Sequence, residues 1–232
     1  MKTDFMRIRV AIVLSVLIPA TAFPATTDSV DDVIARLDRG AGSFKAFSAD
    51  LQSVAHTAVI NEDATDTGRI LLKRAKHDMA MLVEFTAPNV KSIAVHDHKA
   101  EIYYPRQRTI EEYDIGHYRP LLDQFMLVGF GTSGKELATA YDVKVLGSET
   151  VDGKTSTHLE LIPKSAEVLK NLKKLELWIP ESEAYPVQQK FHLPAGDYKL
   201  FTYTNVKVNP PLGDSDLKIK APKDTKRVLP QT

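Results

Sequence analysis

The chain has 232 residues, with 30 basic against 30 acidic side chains, 43% hydrophobic residues and no cysteine. Balanced charge argues against a nucleic-acid binder or a protein held electrostatically on an anionic membrane. The missing cysteines exclude disulfides, thiolate metal sites and lipidation of an N-terminal cysteine.

The first residues read as an export signal. Lys2, Arg7 and Arg9 form a positive region, residues 10–18 are apolar apart from Ser15, and Ala20-Thr21-Ala22 supplies small residues for cleavage. The apolar run falls far short of the roughly 20 residues that span a bilayer. The expectation is a signal peptide over 1–22 and a mature chain over 23–232, exported and soluble in the periplasm. Removing 1–22 leaves 27 basic against 29 acidic residues, a net of about −2. The remaining length suits one all-β domain.

Ser29 and Asp32 have capping-box spacing. Val30, Val33, Ile34, Leu37 and Ala41 follow on one helical face, with Gly40 and Gly42 as natural stops. From Ala46 the period becomes two. Ile70 and Leu72 alternate with Arg69 and Lys73; Met79, Met81, Val83 and Phe85 alternate with polar or small residues. Short runs around 93–95, 102–104 and 108–113 continue a meander of antiparallel hairpins, with no crossover for a parallel sheet.

Residues 118–128 carry Leu121, Leu122, Phe125 and Met126 at helical spacing. Ser133 and Glu136 then offer a second capping box. Strands resume at Tyr141, with Asp152-Gly153 as a hairpin turn, and continue near 157–161, 175–179, 185–193 and 198–208. Leu217 and Ile219 are expected to add a last edge. Ten or eleven strands with two helical insertions predict one large, strongly curved sheet.

The segment 129–134 matches G-x-G-x-x-G, but that motif needs a preceding strand and a βαβ unit, so hinge glycines are the preferred reading. His96 and His98 lack a third ligand and read as turn residues. Ser165 has no nucleophile elbow. Glu111-Glu112 reads as solvated charge. Nothing here proposes catalysis. Arg74 shares the strand parity of Ile70 and Leu72. It either turns inward to acceptors, such as the carbonyls of a covering helix, or passes the strand end into water.

Several segments together resemble the periplasmic lipoprotein carrier family of LolA. They are Gly68-Arg69-Ile70-Leu71-Leu72-Lys73-Arg74, Val83-Glu84-Phe85-Thr86-Ala87-Pro88 and Ile102-Tyr103-Tyr104-Pro105. In the C-terminal half they are Leu175-Glu176-Leu177-Trp178-Ile179, Tyr185-Pro186 and the run 203–212. The chain departs from the pattern at Ala75, where proline is usual, at His98, where a turn glycine is usual, and at Leu217-Lys218-Ile219, which replaces a Phe-x-Phe pair.

The resemblance implies an incomplete, unclosed antiparallel β-barrel with an α-helical lid, whose inner face binds acyl chains. It implies that Arg74 ties its strand to the lid. Cavity and lid candidates are Arg74, Ile70, Leu72, Met79, Met81, Phe85, Leu121, Leu122, Phe125 and Met126, with plain core packing as the alternative for each apolar one. The implied protein is a monomeric carrier, not an enzyme, with no cofactor and no nucleic-acid partner. It would take lipoproteins from an inner-membrane ABC release complex to an outer-membrane acceptor. The alternatives are a carrier of another lipid or hydrophobic metabolite, and a stress-sensing regulator of the same fold.

Overall fold

The computed structural model describes residues 28–74, 79–117 and 128–230. The expected signal peptide, and the candidates Leu121, Leu122, Phe125 and Met126, lie outside the described residues.

Helix α1 (Val30–Ser43) starts where the sequence places it. Asp32 N donates to Ser29 Oγ at 3.2 Å, and Ser29 N donates to the Asp32 carboxylate at 3.0 Å, closing the capping box. Val33 and Leu37 are buried. Gly40 and Gly42 do not stop the helix, which runs on to Ser43. Gly40 lies against Ala184, where any side chain would collide, so it serves close approach rather than termination.

Among the described residues twelve strands form one sheet, one or two more than the sequence pattern predicts. In chain order they are β1 (Ala46–Thr57), β2 (Glu62–Arg74), β3 (Met79–Ala87), β4 (Lys91–His96), β5 (Lys99–Tyr104), β6 (Thr109–Asp114), β7 (Tyr141–Val151), β8 (Lys154–Pro163), β9 (Lys174–Pro180), β10 (Gln188–His192), β11 (Tyr198–Val208) and β12 (Lys226–Val228). The order is β12-β6-β5-β4-β3-β2-β1-β11-β10-β9-β8-β7, so β7 and β12 are free edges and the sheet does not close. It is an open half-barrel with helical insertions. Asp152 and Gly153 both take positive φ in the β7–β8 turn, as a tight hairpin requires.

One edge departs from the expected antiparallel meander. β12 pairs in parallel with β6. Glu101 and Glu112 face each other across β5 and β6, a like-charge pair that destabilises a sheet. Arg227 of β12 bridges them, 2.6 Å from Glu101 and in contact with Glu112. Glu112 is therefore paired rather than simply solvated. Leu217 is not in an edge strand. It ends a 3-10 turn (Asp214–Leu217) and packs with Leu71, Leu82 and Ala94 on the outer face of β2–β4.

Alternation sorts the inner face. Helix α1 and the short α2 (Gly134–Ala140) cover its β7–β9 half, where Val33, Leu37 and Leu137 pack on Leu159, Leu161, Leu175 and Leu177. The β1–β4 half carries Phe47, Leu51, Ile70, Leu72, Met81, Val83 and Phe85 in a second cluster. These two halves meet different cover.

Candidate functional site

Over the second half of the concave face lies a cavity of about 500 Å³. β1 contributes Leu51, Ser53 and Ala55; β2 Asp66 and Ile70; β3 Met81, Val83 and Phe85; β4 Lys91 and Ile93. The opposite wall is Gln189 and Phe191 of β10, Lys199, Phe201 and Tyr203 of β11, and Asn171 and Leu172, which follow the short helix α3 (Ala166–Leu169). Folded interiors rarely keep voids much larger than a water molecule. This one falls within the roughly 300–1,000 Å³ of small-molecule sites.

Of the sequence-derived candidates, Ile70, Met81 and Phe85 line the cavity. Leu72, fully buried, and Met79 belong to the apolar cluster around it. Arg74 sits at the end of β2, on the same face as Ile70 and Leu72. Its Nη2 donates to the Gly131 carbonyl at 2.7 Å, and its guanidinium carbon lies 6.0 Å from the centre of the Phe44 ring. The acceptor is thus a turn carbonyl and not a helix carbonyl, and the side chain stays partly in water.

Two further residues were not among the cavity and lid candidates, although Tyr203 opens the run 203–212. Gln189 Nε2 donates to the Val128 carbonyl at 2.6 Å, and Tyr203 Oη donates to Gln189 Oε1 at 2.7 Å, all buried. Burial pushes the Tyr203 phenol far above its ordinary range, so it stays a neutral donor. Between these anchors Phe130 is 2% exposed, its ring 4.6 Å from Phe47 and 5.2 Å from Tyr203. Residues 128–131 are thereby pinned into the concave face at Val128 and Gly131. No sequence signal marked Gln189, because a glutamine at a buried strand position looks the same as an exposed one until register is known.

The glycines of 129–134 do not cradle a phosphate. Gly131 has φ +72°, and a side chain there would come within 2.6 Å of Phe44 and 2.8 Å of Arg74 Nη2. Gly134 packs on the Ile34 backbone. They allow close approach beneath α1. Ser165 caps α3, accepting from Val168 N at 3.4 Å. His96 contacts Glu101 at 3.5 Å. Among the described residues no three His, Asp or Glu side chains are grouped to hold a metal ion, and no helix is long and apolar enough to cross a membrane.

These features define a class: an open β half-barrel with a hollow apolar concave face. No family model matches the sequence, and no curated protein does. Among solved structures the chain is similar to an uncharacterized conserved protein from Thermus thermophilus, at 14% identity and TM-score 0.55, over 88% of this chain and 100% of that one. It is also similar to MucB, at 14% identity and TM-score 0.52, over 86% of this chain and 65% of that one, so it spans under two thirds of MucB's length. A LolA superfamily protein from Nitrosomonas europaea aligns at 14% identity and TM-score 0.41, over 84% and 99% of the two chains. For the first two, at such identities, the likeness is one of fold.

Proposed function

We propose that the protein is a non-catalytic periplasmic carrier that shelters the acyl chains of lipoproteins in this cavity. Residues 1–22 direct export and are removed, and the mature monomer takes cargo from an inner-membrane ABC release complex to an outer-membrane acceptor. The observation that carries the reading is the 500 Å³ hollow walled by Ile70, Met81, Val83, Phe85, Phe191 and Phe201. Each methylene moved from water to such a wall gains about 0.8 kcal/mol, so acyl chains do not cross water unescorted. Methionine suits a wall that meets irregular chains. Residues 128–131, held by Arg74 and Gln189, are the element whose release would enlarge the hollow.

The test is to purify the mature chain without detergent, identify bound lipid by mass spectrometry and titrate a fluorescent acyl probe. Co-purified acyl lipid and saturable binding are expected. A chain that binds no acylated ligand is not a carrier of acyl chains. A bound non-acyl lipid or hydrophobic metabolite would keep the carrier and change its cargo. An empty chain that instead captures a membrane-anchored regulator would favour the stress-sensing alternative.

A further inference from the structure

The polar groups lining the cavity are unequally satisfied. In its depth, Gln189 and Tyr203 bond each other and the Val128 carbonyl. Asp66 accepts from Asn89 N at 3.3 Å and Asn89 Nδ2 at 2.9 Å, and lies 3.8 Å from Lys91 Nζ. Lys91 also lies 5.1 Å from the centre of the Phe85 ring. Lys199 differs. It lines the same cavity and is exposed, yet its ammonium has no ion-pair, hydrogen-bond or ring partner among the described residues.

Register fixes where that charge sits. Lys199 is directly opposite Ala55 on β1 and Phe191 on β10, both cavity-lining and uncharged. Along β11 it shares a face with Phe201 and Tyr203. The nearby Asp197 carboxylate accepts from Ala58 N at 2.8 Å. A strand position that alternation would give to an apolar residue thus carries a cation with no partner among the described residues at the rim of an apolar hollow. For folding alone it gains nothing, since an apolar side chain would extend the wall.

The size of the hollow limits its occupant. If a methylene takes about the 30 Å³ that a liquid water does, 500 Å³ holds on the order of 16 carbons. That is one acyl chain, not the two or three of a diacyl lipid or a mature lipoprotein.

We infer that the cavity as it stands takes a single acyl chain whose anionic head group, a carboxylate or a phosphate, is held at the rim by Lys199. The inference rests on the carrier reading and adds the ligand's charge, its number of chains in the hollow as it stands and the residue that reads the charge; the several chains of a lipoprotein would need the hollow enlarged by release of residues 128–131.

Three probes with one tail, short enough for the hollow, separate these points by titration calorimetry: dodecanoic acid, dodecan-1-ol and dodecyl phosphate. With the unaltered mature chain, the acid or the phosphate is expected to bind roughly three- to tenfold tighter than the alcohol, one per protein. The preference should shrink at high salt. Lys199→Gln should bring both anionic probes down to the alcohol's affinity while leaving the alcohol within about twofold, and Lys199→Arg should keep the preference. Because Lys199 is exposed, both variants should fold, which circular dichroism checks. Equal binding of all three probes by the unaltered chain would overturn the inference and leave the carrier reading intact. So would an anionic preference that survives Lys199→Gln, or two chains bound per protein. If no probe binds, the carrier reading falls and this inference with it.

Discussion

Replacing Gln189 with leucine tests whether the 128–131 segment is pinned as the structure shows. The substitution conserves approximate size but strands two buried groups at once, the Val128 carbonyl and the Tyr203 hydroxyl. Tyr203 is only 4% exposed, so water cannot easily replace the lost acceptor. Each stranded buried group costs about 1–3 kcal/mol, giving a destabilisation of about 2–6 kcal/mol. In urea this is a drop in midpoint of about 1–2 M at unchanged slope. Tyr203→Phe alone should cost less, about 1–2 kcal/mol, because only Gln189 Oε1 loses its donor. Adding Tyr203→Phe to Gln189→Leu should recover part of the loss, since it deletes the stranded hydroxyl. Amide exchange at residues 128–131 should accelerate in the Gln189→Leu chain. A cost under about 0.5 kcal/mol, or simple additivity of the two substitutions, would refute the buried relay.

Ile70→Trp should fill the hollow. Acyl-probe affinity should fall at least about tenfold with little change in urea midpoint, because the added ring enters empty space rather than packed core; an unchanged probe affinity would place binding elsewhere. Stability should fall on acidification through a network on the outer face of β7–β10. Here His158 lies 2.8 Å from Glu149 and 3.1 Å from Glu176, Trp178 Nε1 donates to Glu149 at 2.8 Å, and Lys174 lies 2.8 Å from Glu176. The Trp178 bond, then that of His158, holds Glu149 below its ordinary range. Burial opposes ionisation of Glu176, but Lys174 and His158 together outweigh it and leave its carboxyl low. Burial also lowers His192, whose Nε2 lies 2.9 Å from Glu176 but out of line for a hydrogen bond. For all three groups the unfolded chain binds protons first as pH falls. Stability should therefore decline from about pH 6.5 for His192, and further below about pH 4.5 for the carboxylates. His192→Gln should flatten the upper limb of that profile, measured by thermal unfolding, and a wild-type slope there would assign it to another group.

The helix starts, the strand alternation and the β7–β8 turn were legible because each is set by neighbours a few residues apart. Ser29 and Asp32 cap one another, and Asp152-Gly153 takes the two positive φ angles that a type I′ two-residue loop requires. Ile70, Met81 and Phe85 could be placed on the inner face by parity alone. The edge strand was not legible, because Lys226–Val228 gains its place from Arg227 meeting a glutamate pair more than a hundred residues away. Gln189 and Lys199 were missed for the same reason. Both sit at inward strand positions, and only register shows that one is satisfied in the depth while the other stands free at the rim.

The anchoring of residues 128–131 has a consequence for Arg74. On the carrier reading, a cargo of two or three chains needs Phe130 out of the apolar cluster around Phe47, and every interaction that holds the segment in place then opposes its binding by the same free energy. Arg74→Leu removes the bond to the Gly131 carbonyl, and partial exposure limits that bond to about 0.5–1.5 kcal/mol. The variant should therefore bind a diacyl probe roughly two- to tenfold more tightly than the unaltered chain and release it more slowly to acceptor vesicles. A defect in hand-over would then come from retention and not from failed capture. Stopped-flow release measured beside equilibrium titration separates the two: weaker probe binding, or unchanged release, would show that Arg74 holds the wall together rather than setting the balance between an empty and a loaded cavity.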